Sequence, residues 1–61
     1  MPALLARRAL MHAKPGAVID IWVDDPMAPI DVPHMCRTEG YEVVAEVREE
    51  GHTRLRLRRP L

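Results

Sequence analysis

Phenylalanine is absent from this 61-residue sequence, and Trp22, Tyr41 and Cys36 are each the only residue of their type. An interior built on stacked aromatic rings is therefore excluded, and Leu, Val, Ile and Met must supply the core. A lone cysteine cannot form an internal disulfide, which excludes a stapled secreted scaffold and leads us to expect a reducing, cytoplasmic setting. No apolar run approaches the roughly 20 residues of a membrane span, and no secretory signal pattern is visible, so no membrane association is expected. Nine basic residues balance nine acidic ones, so the strong basic excess of a dedicated nucleic-acid binder is missing as well.

What is present is 48% apolar, with charged residues interspersed. That mixture belongs to a folded chain, and the length allows one domain, 1–61. The charge is unevenly placed. Arg7, Arg8 and Lys14 make the first element basic, and Asp20, Asp24, Asp25 and Asp31 make the middle acidic.

Leu5, Ala6, Ala9, Leu10 and Ala13 fall at the i, i+3, i+4 spacing of one helix face, with Arg7, Arg8 and His12 away from it. Pro2 suits a first helical turn, and Lys14-Pro15-Gly16 is a stop signal. AVIDIWVDD reads as a strand with Asp20 toward water, closed by Asp24-Asp25-Pro26. A second helix follows, capped by Asp25 with Pro26 in its first turn, or by Asp31 in a shorter version; both end at Gly40. Ile30 and Met35, with Val32 and Thr38, would form its buried face. YEVVAEVR alternates Tyr41, Val43, Ala45 and Val47 against Glu42, Val44, Glu46 and Arg48. Glu49-Glu50-Gly51 is the turn, and the return strand points Leu55 and Leu57 inward and Arg54, Arg56 and Arg58 outward. The order is α-β-α-β-β.

A helix leading into a strand of such a sheet usually crosses over from an earlier parallel strand. None is present in these residues, so either the strand AVIDIWV is an open edge that invites a partner or a second copy of the chain, or something upstream is missing. A homodimer through that edge is one expectation.

With these elements placed, the sequence resembles the TusA, or SirA-like, family of sulfur carriers. Pro2-Ala3-Leu4-Leu5-Ala6-Arg7-Arg8-Ala9-Leu10 matches the family's first helix from the second proline of its Cys-Pro-x-Pro motif onward. Lys14-Pro15-Gly16 resembles its helix end, and Val23-Asp24-Asp25-Pro26 its strand exit. Asp31-Val32-Pro33, Cys36-Arg37 and Gly40 follow at the family's distances. The resemblance implies an α+β two-layer sandwich of order β-α-β-α-β-β, here without the first strand, with two helices on one face of a mixed sheet. It also implies a sulfurtransferase or sulfur-carrier role. Persulfide would pass from a cysteine desulfurase to a downstream acceptor protein, in one branch toward tRNA thiolation, with no cofactor. The family's working cysteine would stand two residues before Met1, so Met1 falls on the variable x, Pro2 is the motif remnant, and no catalytic residue is assigned within these residues. The other reading is a non-catalytic binding or regulatory module that has lost the thiol.

Among the remaining candidates, Cys36 is weighed as a substitute thiol against a packing cysteine. Arg7 and Arg8, beside the motif, are candidates for docking an acidic partner surface or a tRNA backbone, against a solvated helix face. The arginines at 54, 56, 58 and 59 form a candidate phosphate-binding stripe that Glu42 and Glu46 would partly neutralise. His12, His34 and His52 belong to different elements, so no metal site is expected. Asp24 and Asp25 read as turn and cap residues, not an acid-base pair.

Overall fold

The computed structural model describes residues 2–61, with side chains from residue 3 onward. Helix α1 spans Pro2–His12, strand β1 Val18–Val23, helix α2 Ala28–Glu39, strand β2 Glu42–Glu49 and strand β3 His52–Arg58. This is the expected α-β-α-β-β order in an α+β fold. The strands lie in the order β1-β3-β2, and β3 pairs antiparallel with both neighbours. The three strands are thus antiparallel at every ladder, while β1 and β2, joined through α2, run the same way on either side of β3. The helices pack against the sheet on the side of Leu55 and Leu57, which are fully buried.

The core is Ala6 and Leu10 from α1, Ala28, Val32 and Cys36 from α2, and Leu55 and Leu57 from β3. Ile19, Ile21, Val23, Met35 and Tyr41 pack around it. The stripe expected on α1 is therefore narrower than its sequence pattern: Leu5 is 64% exposed and Ala9 is also exposed. On α2 the buried face turns away from Ile30, 61% exposed, and from Thr38, whose hydroxyl instead donates to the His34 carbonyl at 3.0 Å. Ala28, Val32 and Cys36 repeat every four residues, and that row faces the sheet.

Helix α2 begins between the two capping schemes, two residues after the Asp25 cap of one and four before the Asp31 cap of the other. Met27 is its N-cap residue and makes no side-chain cap bond. Asp25 instead accepts the Met27 amide at 2.8 Å, closing the turn just before the helix. Pro33 sits in the second turn of α2, where it removes one amide donor and restricts the preceding backbone. The helix ends as expected at Gly40, whose φ of 80° is left-handed, and the Tyr41 amide reaches back to the Cys36 carbonyl at 2.7 Å. A bond of that span satisfies an orphan carbonyl of the last turn.

The hairpin differs in one respect that alters the surface. The β2–β3 register shifts between Val43 and Ala45. Val44 is the extra residue of a bulge, so alternation reverses beyond it. Val43 faces Leu57, but Glu46 faces Leu55 while Ala45 and Val47 face Arg56 and Arg54. The simple alternation read from YEVVAEVR is thus corrected: Ala45 and Val47 lie on the open sheet face, and Glu46 and Arg48 on the helix side. The turn is also shorter than expected. Glu49 pairs with His52, leaving Glu50 and Gly51 as the loop, with Gly51 at φ 83°.

Candidate functional site

The first helix carries the residues singled out by position. Met1 and the side chain of the motif remnant Pro2 lie outside the described residues, though the backbone of Pro2 opens α1. Arg7 is tied across to α2, its Nε donating to Glu39 Oε1 at 2.6 Å. Both side chains remain more than a third exposed, so the bond orders Arg7 more than it stabilises the fold. Arg8 is exposed, and no ion pair holds it among the described residues. Of the two docking candidates, Arg8 presents the free charge and Arg7 a charge held in place.

Cys36 is 1% exposed and packs in the core beneath α2. Burial pushes its thiol pKa up, which disfavours the nucleophilic thiolate at neutral pH. Its place near the negative end of α2 adds nothing to offset this. Its environment is that of a packing residue.

The arginine stripe divides. Arg54, Arg56 and Arg58 do lie on the open face of the sheet, and of the two neutralising partners expected only Glu42 reaches the stripe. Arg56 is bound in a fork by Asp20 of β1, Nε to Oδ1 at 2.8 Å and Nη2 to Oδ2 at 3.1 Å. The hydrogen bond from Arg56 holds the Asp20 carboxyl below its usual value and raises Arg56 in return. Glu42 lies 3.8 Å from Arg58, while Glu46, turned over by the bulge, pairs with Arg48 of its own strand at 2.8 Å. Arg59 leaves the stripe altogether: Nη1 donates to the carbonyl oxygens of Ala13 at 2.6 Å and Met11 at 3.0 Å, closing the C-terminal end of α1. A continuous phosphate-binding row is therefore not formed.

Asp24 and Asp25 do not form a reacting pair, since Asp25 is engaged with the Met27 amide. No group of three or more His, Cys, Asp or Glu residues is placed to hold a metal among the described residues. His52 lies 3.6 Å from Glu49 on the hairpin, and no helix is long and apolar enough to cross a membrane.

One feature has no counterpart in the sequence reading. A groove of about 310 Å³ runs between α1 and the outer side of β1, lined by Leu5, Ala6, Asp20, Ile21, Trp22 and Val23. The exposed Leu5 forms its helix wall. Its signal in the sequence was the leucine set on the apolar stripe of α1 without a place in the core.

Comparison with known proteins agrees with the motif pattern. A family model described as "Sulfurtransferase TusA" matches residues 1–59. A protein of Thermotoga maritima named "Putative sulfur carrier protein" is 35% identical over 51 residues, covering 84% of this chain and 63% of its own. A protein of the same name from Archaeoglobus fulgidus is 37% identical over 51 residues, covering 82% of this chain and 66% of its own. The chain thus spans just under two thirds of the length of these relatives. The match over nearly every residue, on an α+β frame with the expected helix ends and strand exit, places the chain in the TusA family.

Proposed function

We propose that this chain is the body of a sulfur carrier in a cytoplasmic persulfide relay. The family match over residues 1–59 carries the reading. The sulfur-bearing cysteine is expected in the coding sequence two residues before Met1, at the N-terminal end of α1. There the helix dipole and free amide groups favour a thiolate, whereas Cys36 is sealed in the core.

The transfer balances simply. The carrier thiolate attacks the terminal sulfur of a persulfide on a cysteine desulfurase, forming a new S–S bond as the donor's S–S bond breaks. The desulfurase cysteine leaves as thiolate, and the carrier becomes the persulfide. A downstream acceptor protein, in a route toward tRNA thiolation, then takes the sulfur. Arg8, with Arg7 held beside it, would meet an acidic surface of the donor or acceptor.

The deciding experiment incubates a desulfurase and labelled cysteine with the 61-residue chain and with the chain extended upstream in frame through Cys-Pro. Labelled sulfur retained on the extended chain, and removed by a reducing thiol, is the expected result. An extended chain that carries no label, or upstream DNA that encodes no Cys-Pro, overturns the reading. The burial of Cys36 favours a second reading for the 61 residues taken alone, a binding or regulatory module without a reactive thiol.

A further inference from the structure

On the face of the sheet turned away from the helices, one row of side chains crosses all three strands. Trp22 of β1 and Val47 of β2 each stand opposite Arg54 of β3 in register. An antiparallel sheet with one face on the core normally presents polar side chains on the other. Here the bulge at Val44 turns Ala45 and Val47 outward, and Val47 stays 39% exposed. Trp22 is exposed on the same face. Arg54 sits on the central strand, so its neighbours in this row are set by β1 and β2, not by what pairs beyond them. A further strand beside β1 would extend the sheet within its own plane and leave this face uncovered.

The other cations of the face are matched. Arg56 is forked by Asp20, Arg58 has Glu42 at 3.8 Å, and His52 has Glu49 at 3.6 Å. Arg54 makes no ion pair among the described residues. Asp20, one position along on β1, has both carboxylate oxygens taken up by Arg56. One free guanidinium therefore lies between two apolar side chains.

We propose that the row of Trp22, Arg54 and Val47 is a docking surface for an acidic protein segment, which sets a carboxylate on Arg54 and apolar side chains on Trp22 and Val47. Charge complementarity selects this occupant. With strands about 4.8 Å apart, the two apolar positions stand roughly 10 Å from each other with the cation midway. A guanidinium takes a carboxylate through two parallel N–H donors, and flanking apolar groups that exclude water strengthen such a bond. A nucleic-acid strand needs a succession of free cations, but this face offers one, with Asp20, Glu42 and Glu49 along it. The surface lies on the opposite side of the sheet from α1, which carries Arg7 and Arg8, so it is separate from the docking site assigned there.

The test uses the chain encoded by the full open reading frame, which includes any upstream strand. Random 12-residue peptides displayed on phage are the probe. Enriched peptides are expected to carry Asp or Glu with apolar residues on both sides. For one such peptide, synthesised and titrated calorimetrically, Arg54→Gln and Trp22→Ser are each expected to weaken binding about tenfold or more with unchanged far-UV circular dichroism. Ile30→Ser, at an exposed position on the helix layer, should leave the affinity unchanged. The same peptide with its acidic residue replaced by Arg should bind Arg54→Glu more tightly than it binds the wild type.

No enrichment over the unselected library overturns the proposal, as do enriched peptides without an acidic residue. So does an acidic peptide whose binding is indifferent to Arg54→Gln, or a mixed-sequence 12-nucleotide single-stranded RNA that binds more tightly than the peptide and loses that binding in Arg54→Gln. These assays need no sulfur donor and no reactive thiol, so the docking surface and the sulfur-carrier reading can fail independently.

Discussion

The guanidinium of Arg59 donates to the Ala13 carbonyl at 2.6 Å, joining the residue after the last strand to the end of the first helix. The same segment is stitched by backbone bonds, Gly16 amide to the Arg59 carbonyl at 2.6 Å and Arg59 amide to the Ala17 carbonyl at 3.0 Å. Gly16 is required at that crossing. Its φ is 83°, and a Cβ there would meet the Leu61 side chain at 2.9 Å. A cation at the negative end of α1 thus satisfies otherwise unpaired carbonyls and fixes α1 over the sheet. Arg59→Ala is expected to cost about 1–2 kcal/mol in urea unfolding. Arg59→Lys should recover part of the loss, since it keeps the charge but not the planar guanidinium that reaches both carbonyls. Equal unfolding midpoints for wild type and Arg59→Ala would remove the cap from the stability argument.

The Asp20–Arg56 fork makes a contribution that depends on acid pH. The folded carboxyl of Asp20 titrates below its ordinary value of about 3.9 because Arg56 donates to it. Between the folded and unfolded values the unfolded chain binds more protons, so stability rises with pH across that window. The contribution is present above the unfolded value and is lost as pH falls through the folded one. Asp20→Asn should flatten this part of the urea midpoint against pH profile, measured from about pH 5 downward. A profile unchanged by the substitution would assign the acid sensitivity elsewhere.

Cys36 should behave as an inert core residue. In the folded protein at neutral pH, a thiol reagent is expected to label it only as fast as the domain opens, and stoichiometrically in denaturant. Rapid full labelling of the folded chain would return Cys36 to consideration as a sulfur-bearing thiol.

The middle of β3 is where the fold is most easily lost. Leu55 is fully buried between the helices and both flanking strands. Leu55→Ala is expected to cost about 2–5 kcal/mol, a large share of the stability available to a domain this small. The check is the unfolding midpoint by circular dichroism; a shift corresponding to well under 1 kcal/mol would mean that the core collapses around the gap.

Arg8 should matter for association and not for folding. Arg8→Ala is expected to leave the unfolding midpoint unchanged and to weaken binding to a cysteine desulfurase about threefold to tenfold, with a smaller dependence on salt. Isothermal titration at two ionic strengths reads both effects. Unchanged affinity and salt dependence would take Arg8 out of the docking surface.

Element order, the stops at Lys14-Pro15-Gly16 and Gly40, the inward pair Leu55 and Leu57, and the family itself were legible in the sequence. Each depends on short-range chemistry: a left-handed glycine, a proline without an amide, or strict alternation in a strand paired on both sides. The chain alone did not determine which apolar residues found a place. Leu5 and Ile30 fit their helix stripes yet remain exposed, because a stripe is wider than the surface available to cover it. The bulge at Val44 followed from fitting β2 to β3, and it moved Glu46 away from the arginines it was expected to neutralise. Arg56 and Arg59 found their partners in Asp20 and Ala13, distant residues that only the packing of β1, β3 and α1 brings within hydrogen-bond reach. That β1 pairs on one side only among the described residues was expected from element order, whereas the groove beside it arose from where α1 came to rest. Local backbone preferences therefore determined the elements, and tertiary packing decided which charges are free and which apolar faces remain to be covered.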